Sequence, residues 1–217
     1  MQVEIRNRPA FANLHVKLDV GDQIVAEADA MASMSAHVEI DTKWSGGPLK
    51  GILRRLLGGE SMFLNVFSAA TPGELVLTQP LPGDIECIDL RGSTLFLQPG
   101  AFLACEPGVK LSLSWAGWKM LLAREGLFRI RVSGEGRVWF GAYGGLYQRE
   151  IDDEYIVDSG HLVAYEPSIN VNIGMAGGLV ASVLSGEGLV AKVRGPGRIY
   201  LQSRSLGGLA AWTNRHL

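Results

Sequence analysis

Two kinds of segment recur along these 217 residues, and recurrence at a long interval constrains the fold more than any single residue does. LRGSTLFLQPGAFLACEPGVKLSL from Leu90, VDSGHLVAYEPSINVNI from Val157 and LDVGDQIVAEADAMASMS from Leu18 share a glycine, an alternating apolar stretch and a small-residue or proline turn. GGESMFLNVFSAATPGELVL, REGLFRIRVSGEGRVWF and GEGLVAKVRGPGRIYL form the second kind. A supersecondary unit of this size cannot bury its apolar face alone, so the copies must pack on one another. Gly21, Gly92 and Gly160 are spaced by 71 and 68 residues, and Glu60, Glu125 and Glu187 by 65 and 62, which agrees with one common period. The expectation is a single domain over 1–217 made of three repeats, about 1–89, 90–150 and 151–217.

Within the repeats the patterning has a period of two. In NLHVKLDV, Leu14, Val16, Leu18 and Val20 face one way while His15, Lys17 and Asp19 face the other, as a half-buried strand requires. Phe128, Ile130 and Val132 alternate with Arg129 and Arg131, and Val171 and Ile173 alternate with Asn170 and Asn172. Antiparallel sheets with one wet face follow. SGEGRVWF from Ser133 and RGPGRIYL from Arg194 match most closely, with TPGELVL from Thr71 a weaker counterpart. Their glycines suit hairpin turns, and a phosphate-cradling reading fails because strands and not helices follow. The fold class expected is all-β. Three antiparallel units pack as a single sandwich-like body with a pseudo-threefold arrangement, and short helical segments sit in the connectors.

Those connectors are apolar. In GGPLKGILRRLLGG, Leu49, Ile52, Leu53, Leu56 and Leu57 fall on one helical stripe opposite Lys50, Arg54 and Arg55. WAGWKMLLAREG carries Trp115 and Trp118, and MAGGLVASVLSGEG carries Leu179, Val180, Val183 and Leu184. Exposed together they would make an association surface, so Ile52, Leu53, Leu56, Leu57, Trp115 and Trp118 are the candidate interaction residues. The basic stripe would also suit an anionic membrane surface, although a helix of this length between glycines favours burial against the β body or a sister subunit.

A net charge of -2 disfavours sequence-independent nucleic-acid binding, which needs many phosphate-neutralising cations. A local basic and aromatic surface of Arg129, Arg131 and Trp139 is the alternative, an RNA face of the kind that stacks and neutralises single strands. The first residues, MQVEIRNRPAF, resemble neither a signal peptide nor a transit peptide, and a cytoplasmic protein is expected. Cys87 and Cys105 lack a CxxC spacing and read as buried inert thiols. His37, Glu39 and Asp41 alternate along one strand, where a solvated polar face explains them better than a metal site. The acidic run EIDDEY from Glu150 reads as a solvated turn, and no GxSxG elbow or cysteine–histidine pair is evident. No catalytic, cofactor-binding or metal-ligating residue is assigned.

The GxGR turns, LFLQPGAFLA and GGLVASVLSGEGLVAKVRGPGRIYLQSR resemble the altered-inheritance-of-mitochondria family and its bacterial relatives over essentially the whole chain. The family is similar in fold to the tryptophan RNA-binding attenuation protein. That resemblance implies a compact all-β body that forms rings or trimers, with no assigned enzymatic activity. The function expected is a non-enzymatic, self-associating structural or interaction module. Its partner is another copy, with a protein or membrane surface docking on the apolar connectors, and the alternative is an RNA- or small-ligand-binding β ring.

Overall fold

The computed structural model describes residues 1–44, 63–115, 128–175 and 189–216. A leading strand, β1 (Gln2–Arg6), precedes three sets of six. The first set is β2 (Asn13–Leu18), β3 (Gln23–Glu27), β4 (Met31–Met34), β5 (Val38–Trp44), β6 (Phe63–Ala69) and β7 (Gly73–Thr78). The second is β8 (Ile85–Asp89), β9 (Thr94–Leu97), β10 (Phe102–Cys105), β11 (Val109–Trp115), β12 (Phe128–Gly134) and β13 (Arg137–Gly141). The third is β14 (Leu146–Ile151), β15 (Glu154–Asp158), β16 (Leu162–Tyr165), β17 (Asn170–Met175), β18 (Leu189–Arg194) and β19 (Gly197–Gln202). A helix, α1 (Leu206–His216), follows. Every pairing between these strands is antiparallel, so the all-β class read from the alternating segments is the class observed.

Each set splits into two three-stranded halves. One half holds β2, β7 and β4 side by side, and its counterparts are β8, β13, β10 and β14, β19, β16. The other holds β5, β6 and β3, with counterparts β11, β12, β9 and β17, β18, β15. In place of one sandwich there are four sheets among the described residues. They run β1-β2-β7-β4, β5-β6-β3-β10-β13-β8, β11-β12-β9-β16-β19-β14 and β15-β18-β17. The two six-stranded sheets each join the second half of one set to the first half of the next. The β3–β10 seam pairs Ala26 with Ala104 and Val25 with Cys105, and the β9–β16 seam pairs Leu97 with Ala164 and Phe96 with Tyr165.

Local hydrogen bonds are the same in all three sets. The backbone amides of Glu74, Arg137 and Arg198 donate to Ser35 Oγ, Glu106 Oε2 and Glu166 Oε2 at 3.0, 2.8 and 2.9 Å. Ser35, Glu106 and Glu166 in turn donate their own amides to the carbonyls of Glu74, Arg137 and Arg198 at 2.9, 2.9 and 3.0 Å. Glu106 and Glu166 are 60 residues apart, which exposes a misalignment in the glycine spacing. Gly21 and Gly92 sit in the β2–β3 and β8–β9 turns, but Gly160 sits between β15 and β16, at the place Gly100 holds in the second set.

The GxGR turns do not close hairpins either. β12 and β13 lie in different sheets, as do β18 and β19, so these turns carry the chain round a corner from one sheet to the other. Gly134 and Gly136 have φ of 110° and 122°, and a Cβ on Gly134 would stand 2.6 Å from the Gly108 carbonyl, so only glycine fits this corner. A turn sequence reports the torsions the backbone needs and not which sheet the returning strand joins. True hairpins link β5 to β6, β11 to β12 and β17 to β18. The connectors with their expected helices, 45–62, 116–127 and 176–188, fall at these three links and lie outside the described residues.

Three cores fill the space between halves. Leu14, Val16, Leu18, Ile24, Phe67 and Leu75 form the first, and Trp139 of the second set joins them at 1% exposure. Leu95, Leu97, Val132, Val138 and Phe140 belong to the second, which Tyr200 of the third set enters. Ile151, Val157, Ile173, Val193 and Ile199 belong to the third. Strands β10 and β16 are therefore buried on both faces, since each lies between the core of its own set and that of the set before. Truncating Trp139→Ala removes the largest fully buried side chain among the described residues and leaves a cavity, so a loss of about 3–5 kcal/mol of unfolding free energy is expected in chemical denaturation. A loss below about 1 kcal/mol would place Trp139 outside the core.

Candidate functional site

Arg129 and Arg131 stand on one face of β12, two residues apart, but only Arg131 is exposed. Arg129 is spent on the β9–β16 seam. Its guanidinium lies 3.8 Å from the centroid of the Phe96 ring and donates through Nη1 to the Tyr165 hydroxyl at 2.7 Å. Phe96 and Tyr165 are themselves register partners with ring centroids 5.5 Å apart. The cation thus clamps an aromatic pair formed by two different sets, a contact favoured because the ring faces are negative and partly shielded from water. Burial pushes the Tyr165 phenol above its ordinary value, and the Arg129 hydrogen bond and charge pull it back down.

Trp139 does not share that face. It sits on β13, in a different sheet from β12, with its ring in the first core. Strict alternation misleads here because both faces of β13 are covered, so Val138, Trp139 and Phe140 are buried in succession. Arg137, beside it, is held by Glu106 through Nε at 2.9 Å and Nη2 at 2.7 Å. The basic and aromatic surface read from the sequence is therefore not assembled. Of the interaction candidates, Ile52, Leu53, Leu56, Leu57 and Trp118 lie outside the described residues, and Trp115 is the last residue of β11, paired with Phe128.

His37 precedes β5 and its Nε2 lies 2.8 Å from the Pro72 carbonyl oxygen. Among the described residues no group of three or more His, Cys, Asp or Glu side chains is arranged to hold a metal. Asp152 and Asp153 form the exposed β14–β15 turn. The one buried carboxylate among the described residues, Asp84, receives Arg8 Nε at 2.8 Å, Arg8 Nη2 at 3.0 Å and the Ile85 amide at 2.8 Å, which ties the segment after β1 to the second set. That hydrogen bond to Asp84 raises the Arg8 guanidinium above its ordinary value. Burial pushes the Cys87 thiol up to about 11 and the Cys105 thiol up to about 12, so neither supplies a thiolate nucleophile near neutral pH.

A cleft of about 350 Å³ lies beside the start of α1, lined by Gln79, Pro80, Ala142, Tyr143, Val163 and Leu206 among others. Two of its side-chain amides, Gln79 and Gln202, are used internally. Gln79 Nε2 donates to the Ala142 carbonyl at 3.1 Å, while Gln202 accepts from the Tyr143 amide at 2.8 Å and donates to the Gly160 carbonyl at 2.9 Å. A ligand would meet mostly apolar walls, with the Gln98 side chain and the Tyr143 ring also on the lining.

The strongest unsatisfied feature is a pair of sheet edges. Among the described residues β4 and β15 have no strand paired on their outer side, whereas their counterparts β10, β16, β3 and β9 are all paired across a seam. Ile156 at the centre of β15 is 56% exposed and Met31 of β4 39% exposed. Sequence reasoning passed over both edges. The run EIDDEY reads as a solvated turn, yet its last two residues, Glu154 and Tyr155, open β15, and that strand's lack of a neighbour is a property of the whole topology.

The family model described as mitochondrial biogenesis AIM24 matches residues 3–204, spanning all three sets. The chain belongs to the AIM24 family. An uncharacterised protein of Streptococcus pyogenes serotype M6 is 27% identical over 226 residues, covering 100% of this chain and 91% of that protein. The crystal structure of a protein from Streptococcus pyogenes superposes with a TM-score of 0.82 at 27% identity, covering 100% of this chain and 99% of that one. No described helix is long and apolar enough to cross a membrane.

Two outcomes follow for the AIM24 chain. Arg129→Ala is expected to lower unfolding free energy by about 1–2 kcal/mol, from the lost ring contact and hydrogen bond, and equilibrium denaturation measures it. In thiol titration with a disulfide reagent at pH 8, the buried Cys105 is expected to stay unlabelled in the folded protein and to react on unfolding, while Cys87, which is half-buried and not buried as the sequence suggested, is expected to react more slowly than in the unfolded chain. Rapid labelling of Cys105 in the native state would contradict the burial described.

Proposed function

We propose that this AIM24-family chain is a non-enzymatic structural module that works by self-association. The observation that carries this reading is the pair of open edges, β4 and β15, on a body whose other set-to-set edges are closed. Unpaired strand edges with exposed apolar side chains template further pairing, and monomeric proteins guard them. The apolar residues of the connectors, Ile52, Leu53, Leu56, Leu57 and Trp118, extend the proposal to docking of a protein partner or a membrane surface. In the sequence they fall in 45–62 and 116–127, between the two strands of the β5–β6 and β11–β12 hairpins. The RNA-binding alternative loses support because Arg129 is committed to the seam and Trp139 to the core, which leaves Arg131 alone.

Light scattering after size exclusion tests the proposal. Self-association is expected to give masses at multiples of the 23.4 kDa chain. A constant 23.4 kDa particle up to millimolar concentration would overturn it.

A further inference from the structure

The three sets repeat one backbone, so a place where one set departs from the other two shows what the fold itself does not require. Strands β4, β10 and β16 begin alike: Met31 pairs with Leu77, Phe102 with Phe140 and Leu162 with Leu201, and each strand then skips a residue. Just before these stand Ala30, Ala101 and His161. Ala30 and Ala101 are 4% and 8% exposed, and their carbonyls accept from the amides of Thr78 and Gly141 at 2.7 Å in both sets. A small apolar side chain therefore suffices for the fold. The third set puts a half-buried imidazole there instead.

The same departure continues on the facing strand. Beyond Leu77, Phe140 and Leu201, the corresponding pairs are Gln79-Pro80, Ala142-Tyr143 and Ser203-Arg204. His161, Ser203 and Arg204 meet at a cavity of about 700 Å³, with Tyr143, Ser205 and Trp212 also on its lining. In the second set the corresponding place is the smaller cleft with mostly apolar walls.

Polar groups at this cavity have capacity to spare. His161 Nδ1 lies 2.7 Å from the Gln202 carbonyl oxygen, which can only accept, so Nδ1 carries the proton and Nε2 is left for another partner. Ser203 Oγ accepts from the Gly145 amide at 2.8 Å and Ser205 Oγ from the Gly208 amide at 3.1 Å, which leaves both hydroxyl hydrogens to donate. Among the described residues the exposed Arg204 guanidinium has neither an ion pair nor a hydrogen bond, whereas Arg8, Arg137 and Arg194 each hold a carboxylate. No carboxylate is among the described residues lining the cavity. Beside these donors the Trp212 side chain, 59% exposed, offers a flat apolar face.

We propose that this cavity binds a small phosphate monoester carrying a flat heterocycle, of the size of a mononucleotide. Arg204 and the hydroxyls of Ser203 and Ser205 hold the phosphate oxygens, because charge-assisted donors suit an oxyanion. His161 Nε2 accepts from a ligand hydroxyl, and the Trp212 indole stacks on the heterocycle.

Equilibrium dialysis of the full-length protein against adenosine monophosphate, adenosine and inorganic phosphate tests the proposal. Adenosine monophosphate is expected to bind at one site per chain and more tightly than either fragment. Arg204→Ala and Trp212→Ala are each expected to weaken it about tenfold or more, while Arg131→Ala, which removes a cation outside the cavity, leaves it unchanged. His161→Ala installs the residue the other two sets carry, so weaker binding with an unchanged unfolding midpoint is expected. A lowered midpoint with unchanged binding would make His161 a residue of the fold and remove it from the site. No saturable binding of adenosine monophosphate up to millimolar concentration, or an equal loss from Arg131→Ala, would overturn the proposal. Phosphate binding as tightly as the nucleotide, with Trp212→Ala silent, would overturn it in favour of a surface anion contact. Tighter binding of a trinucleotide with a terminal phosphate would assign the site to a nucleic-acid strand end instead.

Discussion

Backbone amides and carbonyls at a sheet edge must find partners in another strand or in water, and that requirement organises this protein. Each set of six strands folds into two halves that enclose a core, yet every half leaves an edge. The chain closes those edges in series by adding the next set, which produces two composite sheets and strands β10 and β16 buried on both faces. Among the described residues the half-sheets that end in β4 and in β15 are left without such a partner.

The seams are also where side chains become specialised. At the first, Cys105 and Val25 make a small apolar pair; at the second, the pair is Tyr165 and Phe96, and Arg129 is recruited over the rings. An arginine that alternates outward on a strand looks solvent-facing in the sequence. Here it turns toward the seam because a neighbouring strand from another set supplies aromatic faces and a hydroxyl acceptor. What looked like a binding surface is part of the joint between sets.

Local chemistry was the legible part of this sequence. Alternation at Leu14, Val16 and Leu18 marked β2, the Gly134–Gly136 run marked a turn that demands positive φ, and the all-β class followed from such segments. What local pattern does not encode is which sheet a strand joins. For that reason the glycine corners looked like hairpins, Trp139 looked like part of a surface with Arg129 and Arg131 although it is buried on β13, and Gly160 was matched to the wrong turn. Helix α1 went unmarked because its two glycines, Gly207 and Gly208, hide a helical segment whose first turn is capped by Ser205 Oγ accepting from the Gly208 amide at 3.1 Å. The edges of β4 and β15 were invisible for the same reason as the corners, since an open edge exists only relative to the neighbours that other strands have found.

Amide hydrogen exchange followed across a dilution series measures the central claim most directly, because it reports backbone pairing at each edge without altering a residue. The account requires protection of β4 and β15 amides to rise together with protein concentration, while β10 and β16 stay protected at every dilution. Fast exchange in both edge strands at all concentrations, or protection of one that does not depend on concentration, would contradict it.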